Sequence, residues 1–301
     1  MRLKAIHGQL TSFIRRIADE GVNHYSFVAA IRLMEVNMNI FIREMRAHRK
    51  SLIFWSIGML FMIAAGMGKF TSYTGSGQTM KDILDKMPKA LKAVLGFGTL
   101  DVTTASGFYG MLFLYLLIMV TIHAAMLGAN IIAKEERDKT TEFLMVKPVS
   151  RFTVVTAKLT AALVNILVLN IITLVFSIAI VNQYAKGEQV NGDIFILMVG
   201  MLLAQLLFLF IGSGIAAVSK NPKVSASIAT TILLVTFIIA ILTDMNDKLA
   251  GLKYITPFKY FEAQQLYEGG LKPVFVVLSL VIISVMLWVT YTFYRKRDLK
   301  V

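Results

Sequence analysis

FYGMLFLYLLIMVTIHAAMLGANIIA, residues 108–133, holds no Asp, Glu, Lys or Arg and is followed at once by KEER, residues 134–137. An α-helix rises about 1.5 Å per residue, so roughly 20 apolar residues cross the hydrocarbon core of a bilayer. This stretch exceeds that length and ends on a block of charge, as a span ends at the headgroups. Its apolar residues are continuous rather than alternating, which argues against the strands of an outer-membrane barrel. Five further stretches read the same way: 51–68, 157–181, 194–218, 225–243 and 274–294. The expected fold class is an all-α polytopic membrane protein, with a six-helix transmembrane domain over 51–294.

Composition points the same way. Of 301 residues, 56% are hydrophobic and 16% charged, against about 45–50% and about 25% in soluble domains. Mean hydropathy is +0.68. Cysteine is absent, which removes thiolate catalysis, Cys-ligated zinc and any disulfide framework. Residues 1–50 carry charge throughout and lack an apolar h-region, so they do not read as a cleavable signal peptide.

The net charge of +13 is explained by where it lies. Six spans place both termini on one side, together with the 134–156 and 219–224 loops and the basic tail 295–301. That side carries 21 of the 31 Lys and Arg, including all eleven Arg, and nets +12, whereas the other nets +1. The positive-inside rule then sets both termini in the cytoplasm of a multi-pass protein in a bacterial-type plasma membrane. The excess belongs to topology, so membrane lipids are expected partners and nucleic acid is not.

Outside the spans lie three amphipathic or aromatic segments. In the cytoplasmic region 1–50, Phe27, Ile31, Met34, Met38, Phe41 and Met45 recur at helical spacing. Arg32, Glu35, Arg43, Glu44 and Arg46 fall on other faces. This predicts an interfacial amphipathic helix that either anchors the first span or forms an elbow against a cytoplasmic partner. In the 69–107 loop a second apolar stripe predicts one or two short outer helices, with a break near Met87 imposed by Pro88. The 244–273 loop carries Tyr254, Phe258, Tyr260, Phe261 and Tyr267. It reads as an interfacial aromatic belt or as a short re-entrant segment buried by protein.

Catalytic and metal chemistry is missing from the sequence. The four His (7, 24, 48 and 123) are too scattered for a His-Glu-x-x-His zinc pair, and no G-x-x-x-x-G-K-[ST] phosphate loop is present. No catalytic residue, metal ligand or cofactor is therefore assigned to the chain, and nucleotide-driven work falls to another subunit. None of the 18 acids lies in the predicted spans, and Lys158 sits at an edge. His123 is the one clearly intramembrane ionisable residue. It reads either as a proton relay or as a polar contact beside Asn130. Asn165, Asn170 and Gln205 complete the candidate polar points of a pathway.

The loop joining the second and third spans is the most distinctive stretch: KEERDKTTEFLMVKPVSR, residues 134–151. An acidic start, an apolar ridge of Phe143, Leu144, Met145 and Val146, then Pro148 and a capping Ser150 describe a short helix. Its ridge suits either a groove on a cytoplasmic protein or its own span ends. This loop resembles the coupling-helix signature of ABC-2 type exporter permeases. Glu135, Thr140, Glu142, Leu144, Pro148, Ser150, Arg151 and Lys158 match it, with Phe143 and Met145 as conservative replacements. Arg137 stands where the family favours an acid, and Lys139 where it favours Gly. The six spans, the preceding amphipathic helix, the Ser219–Lys223 loop, the Thr256-Pro257-Phe258 segment and the basic tail also resemble that family.

The resemblance implies a type V exporter-like fold and a permease subunit of an ATP-driven exporter. It implies a second permease subunit, as homodimer or heterodimer, and two copies of an ABC ATPase that supply ATP and magnesium chemistry. Glu135, Thr140, Glu142, Phe143, Leu144, Met145, Pro148 and Arg151 are the implied ATPase-coupling residues. The apolar spans and the family analogy point to an amphiphile as cargo: a hydrophobic peptide, a lipid or a drug. A non-transporting anchor or regulatory subunit fits the composition equally well.

Overall fold

The computed structural model describes residues 24–75, 86–97, 100–139 and 150–296. Among them the regular structure is helical: α1 (His24–Gly68), α2 (Phe70–Gly75), α3 (Lys89–Leu95), α4 (Ala105–Arg137), α5 (Arg151–Tyr184), α6 (Asn191–Val218), α7 (Ser225–Met245), α8 (Ala263–Gly269) and α9 (Pro273–Lys296). Two 3₁₀ turns, Asp247–Tyr254 and Pro257–Phe261, precede α8. Six helices, α1, α4, α5, α6, α7 and α9, are long and apolar enough to cross a membrane.

The helices run alternately up and down, and side-chain bonds at both ends of the bundle show it. At one end Arg43 of α1, Glu135 of α4 and Lys158 of α5 meet, and Arg151 of α5 donates to the Arg295 carbonyl of α9 (3.0 Å). This is called the basic end below. At the far end Glu188, in the α5–α6 turn, accepts from the Ala105 amide (3.1 Å), and Asp193 pairs with Ser106. Two carboxylates thus sit on the N-terminus of α4, where the helix dipole favours negative charge. Tyr267 of α8 closes over the same turn, donating to the Ser106 carbonyl (3.1 Å).

The centre of the molecule is the crossing of α4 and α6. Their apolar windows are 67% and 61% buried, against 17–22% for α1, α7 and α9. Small residues allow the crossing. A Cβ added to Gly128 would lie 2.1 Å from the Leu209 carbonyl oxygen, and one on Gly212 would lie 2.2 Å from that of Ala125. Close backbone approach through Gly and Ala is the usual device for packing helices in lipid, where apolar burial alone gives no preference. Ser213 of α6 then bonds Thr290 (3.1 Å), bringing α9 against the same helix.

The amphipathic stretch over 27–45 is not a separate in-plane helix. α1 continues through it into the first span without a break. Its inward face takes in Phe41 and Met45 of the stripe read in the sequence, which pack against the core, but not Met38. Met38 is 57% exposed, whereas Ile40 and Glu44 are buried. The reason is register: Met59, Ile63 and Met67 are fully buried, and stepping back by three and four through Trp55, Leu52 and His48 reaches Glu44 and Ile40.

The outer segments form short helices. Pro88 precedes α3 and its carbonyl accepts from Leu91 and Lys92, so the proline opens that helix. Residues 76–85 lie outside the described region, and with them Met80, Ile83 and Leu84 of the predicted stripe. The aromatic loop does not form a belt. Phe258, Tyr260 and Phe261 are buried, while Tyr254 is 49% exposed. Phe258 packs between Phe208 of α6 (5.4 Å) and Phe237 of α7 (5.3 Å). Tyr260 stacks on Phe275 of α9 at 4.9 Å and 11°. Thr256 donates to the Thr236 carbonyl (2.6 Å), satisfying the turn from within the bundle. Protein buries this backbone, as a segment dipping between spans requires.

Candidate functional site

Two arrangements of polar groups stand out, one at each end. At the basic end, charges from three helices alternate in sign. Arg43 bridges Glu44 (3.0 Å) and Glu135 (2.9 Å). Lys134 reaches the other oxygen of Glu44 (2.9 Å). Lys158 binds the other oxygen of Glu135 and also donates to the Ile131 carbonyl (2.5 Å). Glu44 and Lys158 are fully buried and Glu135 is 4% exposed. Three cations thus face two carboxylates and join α1, α4 and α5.

Buried charges persist only when paired and hydrogen-bonded, because the isolated ions lose several kcal/mol of hydration. Each carboxylate here has a cation on both oxygens, and Lys158 has the Ile131 carbonyl as a further acceptor. Lys158 is therefore enclosed by protein. Glu44, read as part of a solvated face, turns inward. The sequence reading put Arg43 and Glu44 on the polar faces of the amphipathic stretch and gave Lys134 no role; it joined none of them to Glu135. The signal available was the register of Met59, Ile63 and Met67 extended towards the N-terminus.

The loop leaves this hub immediately. α4 ends at Arg137, whose guanidinium is held by Asn130 (2.7 Å) and Asp138 (3.1 Å). Lys139 follows with φ 53. Thr140, Glu142, Phe143, Leu144, Met145 and Pro148 lie outside the described residues. The chain is described again at Ser150, which caps α5 by accepting from the Thr153 amide (3.1 Å). Of the coupling candidates, the structure describes Glu135, committed to Arg43 and Lys158, and Arg151, held against α9.

The candidate pathway residues are dispersed. His123 packs on Trp55 (5.4 Å between centroids), and its Nδ1 is buried without a hydrogen-bond partner. Its expected neighbour Asn130 is instead the acceptor for Arg137. Asn170 donates to Gln205 (3.2 Å) and to the Met198 carbonyl (3.2 Å), joining α5 to α6. Asn165 is buried between helices with both amide atoms unpartnered.

At the far end a cavity of about 440 Å³ opens between α4, α7 and the aromatic loop. Its floor includes Phe113, Leu117, Phe237 and Phe258, and its mouth Lys92, Asp244, Lys259 and Glu262. Lys259 is bound by Asp244 and by Glu262 (2.8 Å). Burial works against its charge, but Glu262 and Asp244 prevail and raise its pKa above the ordinary 10.5. Burial also pushes the nearby Tyr260 hydroxyl up to about 12, so it remains a donor to the Tyr254 carbonyl (2.5 Å). An apolar floor with a few charged groups at the rim is the usual build of a small-molecule site. Among the described residues no cluster of His, Asp and Glu is arranged to hold a metal.

Six helices long and apolar enough to cross a membrane, packed about a glycine-mediated crossing, are those of a multi-pass membrane protein. The family model for ABC-2 family transporter proteins matches residues 38–299. The chain belongs to that family and is a permease component of an ABC transporter. Such a permease is a membrane subunit, and membership implies an ABC ATPase as its partner. A comparison with curated proteins returns no match.

Proposed function

We propose that the chain forms the translocation pathway of an ATP-driven exporter, working with a second permease subunit and two copies of a separate ABC ATPase. Residues 140–149 dock on the ATPase through the Phe143, Leu144 and Met145 ridge, with Glu142 as a polar contact. Glu135 acts differently from its role in the motif reading. It clamps the loop's base instead of touching the partner.

The observation that supports this reading most is the hub's position. It ties α1, α4 and α5 together about one helical turn before the loop, so a force on the loop moves three helices as a unit. ATP-driven closure then biases a two-state equilibrium of the bundle through contacts that differ between states. The far-end cavity, apolar below and charged at its rim, favours an amphiphilic cargo: a hydrophobic peptide, a lipid or a drug.

The test is purification of the tagged chain from native membranes with whatever accompanies it. A stoichiometric ABC ATPase is expected, and Leu144→Asp is expected to release it while the permease still inserts. Glu142→Ala is expected to leave ATP hydrolysis intact and abolish export of a fluorescent amphiphile from vesicles. Retention of the ATPase by Leu144→Asp, with export unchanged in both variants, overturns the assignment.

A further inference from the structure

A cleft of about 270 Å³ lies between α5 and α9 at the basic end, apart from the hub and the far-end cavity. Arg151 and Arg295 line it, and among the described residues that line it none is acidic. Arg151 is fixed there by its bond to the Arg295 carbonyl (3.0 Å), which turns it towards α9. Beside them Phe152 stacks on Tyr291 at 4.8 Å and 28°. The Tyr291 hydroxyl is in turn bonded to Thr156 (3.0 Å), which ties this aromatic pair to α5.

We propose that this cleft binds the phosphate headgroup of an anionic phospholipid. Guanidinium groups match phosphate oxygens with paired donors, and basic pockets between membrane helices are suited to acidic headgroups. The apolar surroundings say where the acyl chain goes. Phe152 is 64% exposed at the mouth, and Val281, Val285 and Trp288 form an exposed stripe on α9. Helical spacing carries that stripe through Thr292 to Arg295. A lipid needs such a charged head joined to a long apolar track, whereas a water-soluble protein partner has no use for the track. The proposal requires only that the bundle sits in a membrane and is independent of the exporter reading.

Native mass spectrometry of the full chain in detergent, titrated with phosphatidylglycerol or phosphatidylcholine, tests it. Phosphatidylglycerol is expected to bind more tightly. Arg295→Gln is expected to weaken it about fivefold, the effect of one basic residue at a membrane surface, with partial recovery in Arg295→Lys. Phe152→Ala is expected to weaken it further, and Lys248→Gln, at the far end, to change nothing. Inorganic phosphate is expected to compete poorly. Equal retention of both lipids overturns the proposal, as does displacement by inorganic phosphate at matching concentration, which marks a free-anion site. Loss of a copurifying ATPase in Arg295→Gln with lipid binding unchanged also overturns it, assigning the cleft to a protein partner.

Discussion

Lys139 ends α4 in the left-handed region, with φ 53. For a residue with a Cβ this conformation costs about 1 kcal/mol, and glycine adopts it freely. The Gly that the resemblance favours at this position would adopt the same backbone conformation without that cost. Lys139→Gly is expected to raise the thermal midpoint slightly and to leave the helical circular dichroism unchanged; a lower midpoint means the lysine side chain supplies a compensating contact. The hub makes a sharper prediction. Lys158→Met strands one oxygen of the buried Glu135 carboxylate, while the other keeps Arg43 at 2.9 Å; losing the sole partner of a buried charge costs about 3–5 kcal/mol, so a loss below that range is expected. Adding Glu135→Gln removes the stranded charge, so the double variant is expected to be more stable than Lys158→Met alone. Unfolding titrations of both variants decide this, and additive losses refute the pairing. Lys158 and Glu135 were both visible in the sequence as motif positions. Their partnership was not, because the two stand on different helices 23 residues apart, and Arg43 and Glu44 enter from a helix about 90 residues away; spacing along the chain carries no information about such contacts.

Elements show a similar division. The spans are legible because continuous apolar runs have one physical solution in lipid, a helix with its backbone bonded internally. The crossing of α4 and α6 is partly legible, since Ala124, Ala125, Gly128 and Ala129 form a small-residue patch. Its counterpart at Gly212 emerges only in three dimensions. Gly128→Ala and Gly212→Ala are each expected to destabilise by about 1–3 kcal/mol as the helices are forced apart. Gly192→Ala, where an added Cβ meets nothing within 4 Å, is expected to be neutral or stabilising. Equal midpoints for all three variants contradict the close approach. The aromatic loop was ambiguous in sequence because a belt and a buried segment demand the same residues. Its Lys259 cluster has a defined pH response. The pKa of Lys259 is raised, so its contribution is complete below 10.5 and is lost only as pH climbs through the raised value. The stability difference between the native chain and Lys259→Gln is expected to stay constant from neutral pH to about 10 and to shrink above it. A difference that shrinks already near neutrality rules out the cluster as drawn.

At the scale of the whole molecule, burial is unequal: α4 and α6 are enclosed, whereas α1, α7 and α9 show most of their apolar surface outside the chain. A lone bundle in lipid tolerates this, and a second permease subunit has the same faces available to it. The direction of the bundle follows from charge rather than from packing. The six-span reading of the sequence puts every Arg on the side of the loops 134–156 and 219–224, and among the described residues Arg43, Arg137, Arg151 and Arg295 gather at one end, the end that holds the hub and leads into residues 140–149. If that end faces the cytoplasm, the coupling reading and the topology stand together, and the native chain makes the test direct because it contains no cysteine. Lys248→Cys, exposed at the far end, is expected to react with a membrane-impermeant maleimide added to intact cells. Lys220→Cys, in the α6–α7 loop, is expected to react only after the membrane is opened. The reverse pattern inverts the molecule and places residues 140–149 where no ATPase reaches them, so this one labelling experiment decides orientation before any transport assay is attempted.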